Sequence, residues 1–236
     1  DPGAHDPREQ ARLTAFLMGL TAEGKRLRAI VLTHHHADHV GAAGALKERL
    51  KLPIWAHELT ANRVPGVERI LTDGEELTLA GKPPLKLKVL HTPGHARGHI
   101  VLQELESRAL ICGDMVAGVG TIIIDPPEGD LTDYLASLER MIAVPAGVLY
   151  PAHGPPIVEG VQKLREYVLH RQMREARVHA AVKARPRSIQ EIVREVYTDT
   201  PPELHALAER SALASLIKLI RDGKVTRQGE RYGAAQ

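Results

Sequence analysis

Four side chains of types that commonly bind metals are crowded into the six residues from His34 to His39. They are His34, His36, Asp38 and His39, and on a helix these positions would point in divergent directions. On a tight loop after a strand they can converge, since His34 and His36 share one face at the two-residue spacing of an extended chain. Imidazole and carboxylate ligands suit Zn²⁺, Fe or Mn²⁺, and no thiolate narrows the choice. The run therefore predicts a metal site, with the side chain of His35 pointing away from it.

Three further candidate ligands each follow a predicted strand on a turn. A Thr-Pro-Gly turn presents His95, a Cys-Gly pair presents Asp114, and a Pro-Ala pair presents His153. One such turn is a weak signal, because a lone histidine or aspartate is more often structural than a ligand. All of them occur at strand ends, where ligand-bearing loops usually lie, so together they point to one shared site.

The elements that must position these residues alternate short strands with loops up to about residue 156. We predict strands over 29–33, 53–56, 76–79, 85–90, 100–105, 109–112 and 147–150, with helices over 7–20, 41–50 and 132–142. Because the candidate ligands follow the strands, they should meet on one rim of a sheet.

The pattern becomes helical after this point. We predict helices over 161–184, 189–197 and 201–221 and a small hairpin over 224–232. Ser188 and Glu191 have the spacing of a capping box at the start of the second of these helices. Helix, helix and hairpin follow one another as in a winged helix-turn-helix module. We therefore expect a catalytic domain over 1–158 and a winged-helix domain over 159–236.

The composition is that of an ordinary soluble chain with unevenly distributed charge. The net charge is only +2, yet from Gly160 onward 15 Lys and Arg face 9 Asp and Glu, so the tail is basic. The single cysteine, Cys112, excludes an intramolecular disulfide and fits a reducing compartment. No stretch approaches the roughly 18 apolar residues of a membrane helix. We expect a cytoplasmic protein without a membrane partner.

The ordered motifs resemble those of the metallo-β-lactamase superfamily. Thr-His-His-His-Ala-Asp-His at 33–39 is followed by Thr-Pro-Gly-His at 92–95, Gly-Asp at 113–114 and Pro-Ala-His-Gly at 151–154. The resemblance implies an α/β fold in which two sheets are sandwiched between helices, an αββα arrangement. Asp-Pro-Gly at 1–3 resembles the Asp-x-Gly that closes a strand of the first sheet in this superfamily. We therefore expect that this chain lacks the first strands of the fold and that one or two hairpins precede Asp1 in the full-length protein.

Carried over to this chain, the resemblance implies two divalent metal ions, with Zn²⁺ favoured and Fe or Mn²⁺ also admitted. Asp114 would bridge the ions, a hydroxide shared between them would be the nucleophile, and Asp38 would be catalytic by accepting a proton during the attack. True β-lactamases commonly have cysteine at the position of Asp114, which argues against antibiotic hydrolysis. The first ion would be held by His34, His36 and His95, and the second by Asp38, His39 and His153.

Two branches of the superfamily remain open, and we favour an endoribonuclease acting on single-stranded RNA. Residues 130–155, the segment around 170–175 and the helix-helix-hairpin tail are similar to the β-lactamase-like endoribonucleases. A basic tail beside two cations also suits a polyanionic substrate. On this interpretation the substrate contacts would be His170, Arg171 and Arg174, and further phosphate contacts would be Lys218, Lys224 and Arg227.

The alternative is a thioesterase similar to glyoxalase II, which cleaves a hydroxyacyl-glutathione. Its ligand set is the same, but glyoxalase II ends in a helical glutathione-binding segment instead of a winged helix. An aromatic content of 3% also offers little for base stacking. The tail could instead cover the active site or form a homodimer contact. A DNA-binding regulator is disfavoured by the complete set of ligands. Outside that set, His99 either orients a ligand or has a structural role, and we expect Cys112 to lie in the core.

Overall fold

The computed structural model describes residues 1–235 and has an α/β architecture. The helices are α1 (Pro7–Ala22), α2 (Ala37–Val40), α3 (Ala43–Leu50), α4 (Glu58–Ala61), α5 (Leu131–Ala143), α6 (Gly160–Ala184), α7 (Ile189–Val196) and α8 (His205–Arg221), with a 3-10 turn at Pro202–Leu204 before α8. The strands are β1 (Ile30–Val31), β2 (Ile54–Ala56), β3 (Val67–Ile70), β4 (Glu76–Leu79), β5 (Leu85–His91), β6 (Ile100–Glu104), β7 (Leu110–Gly113), β8 (Leu149–Pro151), β9 (Val225–Gln228) and β10 (Arg231–Ala234).

Two sheets form the centre of the catalytic part. Strands β1, β2 and β3 make a three-stranded parallel sheet. Strands β4 to β8 make a five-stranded sheet in chain order, antiparallel except for the parallel pair β7 and β8. The hairpin of β9 and β10 stands apart from both as the wing.

Alternating burial along the strands produces the layers. In β1, Ile30 packs in a cluster with Leu46 of α3, while the next residue, Val31, packs toward the cluster that contains Val89 and Ile100 of the second sheet. Successive side chains of a strand point to opposite faces, so one face of the first sheet meets helices and the other meets the second sheet. Helices α5 and α6 pack on the far face of the five-stranded sheet. This is the predicted αββα sandwich.

Helix α6 belongs to two cores at once. Its first half contributes Leu164 and Tyr167 to the core beneath the five-stranded sheet, and its second half contributes Val178 and Val182 to the core of the winged helix. The C-terminal module is therefore continuous with the sandwich through one 25-residue helix. The division between residues 158 and 159 stays a prediction, as do the strands expected before Asp1.

Three elements were not predicted: α2, α4 and β3. The most consequential is α2, because Asp38 and His39 lie in it, whereas the sequence interpretation placed the whole ligand run on a loop. None of the helices within residues 1–235 combines the length and the hydropathy that a membrane-spanning segment requires. The cytoplasmic location stays a prediction.

Candidate metal centre

The candidate ligands at 34–39 follow shortly after β1, and the chain there turns sharply into α2. His36 is the N-cap of α2, with extended φ and ψ of −63° and 148°, so the chain changes direction between His36 and Asp38. This turn lies against the chain start, where a Cβ on Gly3 would be 1.7 Å from the carbonyl oxygen of Asp38. Only glycine fits at that distance, which explains the third residue of the Asp-Pro-Gly motif.

The first cluster consists of His34, His36 and His95, whose ring nitrogens lie within 4.8 Å of one another. His34 Nε2 is 3.0 Å and His95 Nε2 is 2.9 Å from the same atom, His36 Nδ1. His34 and His95 are buried. Three imidazole nitrogens thus converge on one small volume, as the ligands of a tetrahedral site must.

The second cluster consists of Asp38, His39 and His153. His153 Nε2 lies 3.3 Å and His39 Nε2 lies 3.7 Å from Asp38 Oδ2. His39 is buried, whereas Asp38 and His153 are 61% and 49% exposed. The second cluster therefore forms the open side of the site.

Asp114 lies between the clusters and faces each of them with a different oxygen. Its Oδ2 is 3.4 Å from His95 Nε2 in the first cluster. Its Oδ1 is 3.4 Å from His39 Nε2 and 3.5 Å from His153 Nε2 in the second. All the residues predicted as ligands from sequence are thus brought together, with Asp114 between the two clusters.

Two of these atoms lack the partners that buried polar atoms normally have. His39 Nε2 and Asp114 Oδ1 are buried and make no hydrogen bond within the described residues. A buried polar atom left without a partner costs on the order of 1–3 kcal/mol. A cation between them would remove that cost, and a set of imidazole and carboxylate donors suits Zn²⁺, Fe or Mn²⁺. The residues present therefore fit a metal centre.

A layer of hydrogen bonds behind the clusters fixes the orientation of the imidazole rings. His39 Nδ1 lies 3.1 Å from Asp1 Oδ2, and His95 Nδ1 donates to the carbonyl oxygen of Ile123 at 2.8 Å. Thr33 Oγ1 donates to Asp1 Oδ2 at 2.6 Å, so its oxygen can accept from His34 Nδ1 at 3.0 Å. With Nδ1 occupied in each ring, Nε2 carries the free lone pair that a metal needs.

Sequence reasoning did not identify Asp1 or the Ile123 carbonyl as orienting groups. Asp1 was interpreted only as the end of a strand, and a backbone carbonyl leaves no trace in residue types. The sequence left an orienting and a structural role open for His99, and in the structure its Nε2 accepts from the amide of Asp114 at 3.0 Å. Its Nδ1 then donates to Thr92 Oγ1 at 2.8 Å.

Cys112 is buried in the core, and burial raises the pKa of its thiol to about 12.

The electrostatics keep the donors in their metal-binding forms. Burial lowers the pKa of His34 far below its ordinary value, and burial also lowers the pKa of His36 and brings that of His95 to about 4. Burial alone would raise the pKa of Asp114, but the nearby histidines, His39 first, lower it overall. At neutral pH these groups are neutral imidazoles and a carboxylate, the protonation states that coordinate cations.

The predicted substrate contacts lie elsewhere, in a cleft of about 580 Å³ between the 120–124 segment and helices α6 and α8. His170, Arg171 and Arg174 all line it. Arg171 donates to Thr121 Oγ1 and the Ile122 carbonyl, and Arg174 donates to both carboxylate oxygens of Asp199 at 2.6 Å. None of the candidate ligands in the two clusters lines this cleft.

The other predicted phosphate contacts are also engaged by the protein. Lys218 forms ion pairs with Glu175 and Asp222, and Lys224 lies 3.7 Å from Asp222. Arg227 donates to the carbonyl oxygen of Gly229. Their role in substrate binding stays a prediction, as it does for the three residues that line the cleft.

Two family models match the chain. Residues 1–153 match the metallo-beta-lactamase superfamily, and residues 188–234 match the beta-lactamase associated winged helix domain. The first match contains every residue of the two clusters and Asp114.

Curated relatives and solved structures extend the similarity. The Beta-lactamase-like protein 2 homolog of Caenorhabditis elegans is 32% identical over 93% of this chain and 74% of its own length. A hydroxyacylglutathione hydrolase of Rhizobium meliloti is 35% identical over 55% of this chain and 49% of its own length.

Among solved structures, a metallo-beta-lactamase family protein of Thermus thermophilus superposes with a TM-score of 0.75 at 27% identity, covering 94% of this chain and 85% of that chain. TTHA1623, solved in a di-iron-bound form, has a TM-score of 0.53 at 29% identity over 68% of this chain and 84% of that chain. With the fold, the clustered ligands and the two family matches in agreement, this chain belongs to the metallo-β-lactamase superfamily of metal-dependent hydrolases and carries the winged-helix domain associated with it.

Proposed function

We propose that the protein is a hydrolase that works with two divalent cations. One observation carries this proposal: the two oxygens of Asp114 face two separate groups of ligands, at 3.4 Å from His95 and 3.4 Å from His39. A carboxylate in that position can bridge two ions. We assign the first ion to His34, His36 and His95, and the second to Asp38, His39 and His153, with Asp114 shared.

The exposed side of the centre is where substrate would enter. Two cations held there would supply Lewis acidity, activating water at neutral pH and polarising the scissile group. Asp38 is exposed on that side, and we assign it the role of accepting the proton from the attacking water. His34, His39 and His95 are buried and act as fixed donors whose orientation the surrounding hydrogen bonds maintain.

The identity of the metal is proposed from the donors. Neutral imidazole with carboxylate favours Zn²⁺, and the same donors accept Fe or Mn²⁺. A similar protein, TTHA1623, has been crystallised with two irons, which keeps iron in consideration. Elemental analysis of the purified protein decides among them: the Zn²⁺ assignment requires close to two zinc ions per chain.

For the substrate we propose the phosphodiester bonds of single-stranded RNA. The support is the resemblance of residues 130–155, the segment around 170–175 and the helix-helix-hairpin tail to the β-lactamase-like endoribonucleases, together with the winged-helix domain matched at residues 188–234. His170 lines the cleft described above. Of the three proposed substrate contacts, it is the one whose residue is exposed. Arg171 and Arg174 line the same cleft and would contact substrate through the donors that their present hydrogen bonds leave.

A second candidate, thioester hydrolysis, is favoured by two observations. The Rhizobium meliloti hydroxyacylglutathione hydrolase is 35% identical to this chain, although only over 130 residues. The cleft is also lined in part by aliphatic side chains, including Ile124, Leu131 and Leu207, which suit an acyl group better than a nucleotide. The ligand set does not discriminate, since it is common to both branches.

One experiment separates the two substrates. Metal-loaded protein is incubated in parallel with single-stranded RNA and with lactoyl-glutathione, using His36→Ala as the inactive control. His35→Ala is the matched control, because the neighbouring histidine lies outside both clusters and should leave activity unchanged. RNA cleavage that falls steeply with salt and is lost in His36→Ala supports the nuclease. Thioester turnover indifferent to salt, without RNA cleavage, overturns it in favour of the second candidate. Failure on both substrates contradicts both proposals.

The predicted homodimer is checked separately by light scattering.

A further inference from the structure

We propose that helices α6 and α8 position the metal ligand His95, and that Arg171 of α6 is the residue through which they do so. The inference rests on the proposed assignment of His95 as a ligand. It concerns the segment 121–130, which has no helix or strand and lies between the metal centre on one side and helices α6 and α8 on the other.

On the side of the metal centre, this segment holds the turn that carries His95. The carbonyl oxygen of Ile123 accepts from His95 Nδ1 at 2.8 Å, and the amide of Asp130 donates to the carbonyl oxygen of Gly94 at 2.8 Å. Gly94 has a φ of +133°, and a Cβ there would lie 2.2 Å from the Cα of Tyr134. The turn is therefore pressed against α5, and the direction of the His95 ring depends on where Ile123 lies.

On the other side, three arginines of the C-terminal helices bind the same segment. Arg171 of α6 donates to the Ile122 carbonyl and to Thr121 Oγ1. Arg210 of α8 donates to the Asp125 carboxylate and the Pro126 carbonyl. Arg221, at the end of α8, pairs with Asp130 at 2.7 Å. These bonds connect the C-terminal domain to both ends and the middle of the segment.

Arg171 differs from the other two because it is buried. Only 7% of it is exposed, its hydrogen-bond acceptors are a carbonyl and a hydroxyl instead of a carboxylate, and its Nε has no partner within the described residues. Burying a guanidinium in this way is costly. In return, the Ile122 carbonyl is held in a fixed position. Its peptide comes directly before the one whose carbonyl, that of Ile123, binds His95. Arg171 thus holds one end of a two-peptide connection to the metal ligand.

Loss of the Arg171 contacts should lower the affinity for one of the two proposed ions more than for the other. Groups that orient a metal-bound histidine typically contribute about 10–100-fold to metal affinity. Loss of the Arg171 contacts should weaken the ion held by His34, His36 and His95. The ion held by Asp38, His39 and His153 should be affected much less, because its orienting group is Asp1 and not the 121–130 segment.

The test measures metal binding in the full chain. Arg171→Leu is titrated with Co²⁺, following the d–d absorption of the two sites, and Zn²⁺ affinity is measured by competition with a chelator. The matched control is Arg174→Leu, one turn further along α6, whose hydrogen bonds go to Asp199 and Val196 inside the C-terminal domain. We expect one of the two ions to bind about 10–100-fold more weakly in Arg171→Leu, and both to bind normally in Arg174→Leu.

Two further variants keep the outcome decisive. If Arg171→Leu fails to fold, the exposed pair Arg210→Ala with Arg221→Ala releases the same segment and should weaken the same ion. Unchanged affinity for both ions in whichever of these variants folds overturns the positioning role. His95→Ala separates this from the ligand assignment. If His95→Ala also leaves both affinities unchanged, the assignment of His95 itself has failed. If it weakens binding while the arginine variants do not, only the positioning role has failed.

Discussion

The metal centre and the C-terminal domain differ in whether their polar groups have partners within the protein. At the centre, His39 Nε2 and Asp114 Oδ1 are buried without hydrogen-bond partners among the described residues, so the protein leaves atoms to be satisfied by something it does not itself contain. In the C-terminal helices, several basic side chains are paired with acidic ones, as in Arg174 with Asp199 and Lys218 with Glu175, although Arg171 Nε also lacks a partner among the described residues. The first arrangement is that of a binding site, and the second is that of a structural support.

This difference changes how the basic tail is understood. An excess of 15 basic over 9 acidic residues suggested a surface for a polyanion. In the folded chain, part of that excess is directed at the catalytic domain, since Arg171, Arg210 and Arg221 all bind the 121–130 segment. Net charge by sequence position does not reveal which charges remain free. The RNA proposal therefore depends more on the resemblance of the helix-helix-hairpin tail to the β-lactamase-like endoribonucleases than on charge.

Hydrolysis should be reduced most by a change at the metal centre itself. Replacing His36 by Ala removes the atom on which His34 and His95 converge. On the proposed assignment, bound cations would contribute several kcal/mol of transition-state stabilisation, so hydrolysis should fall by about 10³-fold or more. The measurement is kcat/KM on whichever substrate is turned over, with metal content determined in parallel. Near-normal activity in metal-depleted His36→Ala would contradict the assignment of a metal centre.

The next effect concerns stability. A cation that binds the folded chain alone stabilises it by about 4 kcal/mol at a free concentration roughly 1,000 times its Kd. Chelation should therefore lower the Tm substantially in the wild-type protein and less in His36→Ala, in which one set of ligands is already broken. Calorimetry with and without a chelator measures the difference. If the Tm did not respond to chelation, the unpaired buried atoms would have to be satisfied in some other way.

The same contrast explains what sequence could predict. The strand at 76–79 was predicted at its observed bounds, because strict alternation of apolar residues and a Pro-Pro turn identify a hairpin. The strand at 67–70 was missed, since it lies at the edge of its sheet with three of its four residues exposed and has no apolar period. The 3-10 turn before α8 was absorbed into a single predicted helix over 201–221, since propensity does not locate such boundaries.

At the centre, residue types and order were sufficient to name the cluster members. They were insufficient to show that Asp38 and His39 lie in the short helix α2, because one turn of helix is too short for periodicity to show. The orienting carbonyl of Ile123 was not predictable, since every residue has a carbonyl. The engagement of Arg171 depends on tertiary contacts that residue spacing does not reveal.

A smaller change in stability is expected from the cap of a helix in the winged-helix domain. Ser188 caps α7, where its hydroxyl accepts from the Glu191 amide at 3.3 Å in a capping box. Ser188→Ala should destabilise the C-terminal domain by about 1 kcal/mol, whereas Ser188→Asn should retain most of the stability, because asparagine also caps well. Denaturant unfolding measures this, and the metal affinity of the folded protein should not change. A change in metal affinity would show that the winged helix influences the centre by routes other than the 121–130 segment.

The smallest effect lies where the two regions meet. Asp130 caps α5 by accepting from the amides of Thr132 and Asp133, and it pairs with Arg221 across the domain junction. Burial by itself would raise the pKa of Asp130, but these bonds, with that from Arg221 first, lower it below its ordinary value. The ionised form is thus favoured in the folded state. Its stabilisation is complete above the ordinary carboxyl pKa of about 4 and is lost as the pH falls through the lowered value.

Asp130→Asn keeps a good cap and removes only the charge, so it isolates the contribution of the pair. At neutral pH we expect its Tm to lie about 2 °C below that of the wild-type protein, as for a partly exposed ion pair. Because the wild-type carboxylate becomes protonated in acid, the gap should close as the pH is lowered below about 4. Melting curves from about pH 3 to pH 7 test this, with Arg221→Ala expected to show the same convergence. A gap that stayed constant with pH would mean that the amide disturbs the cap and that the charge pair between the regions contributes nothing measurable.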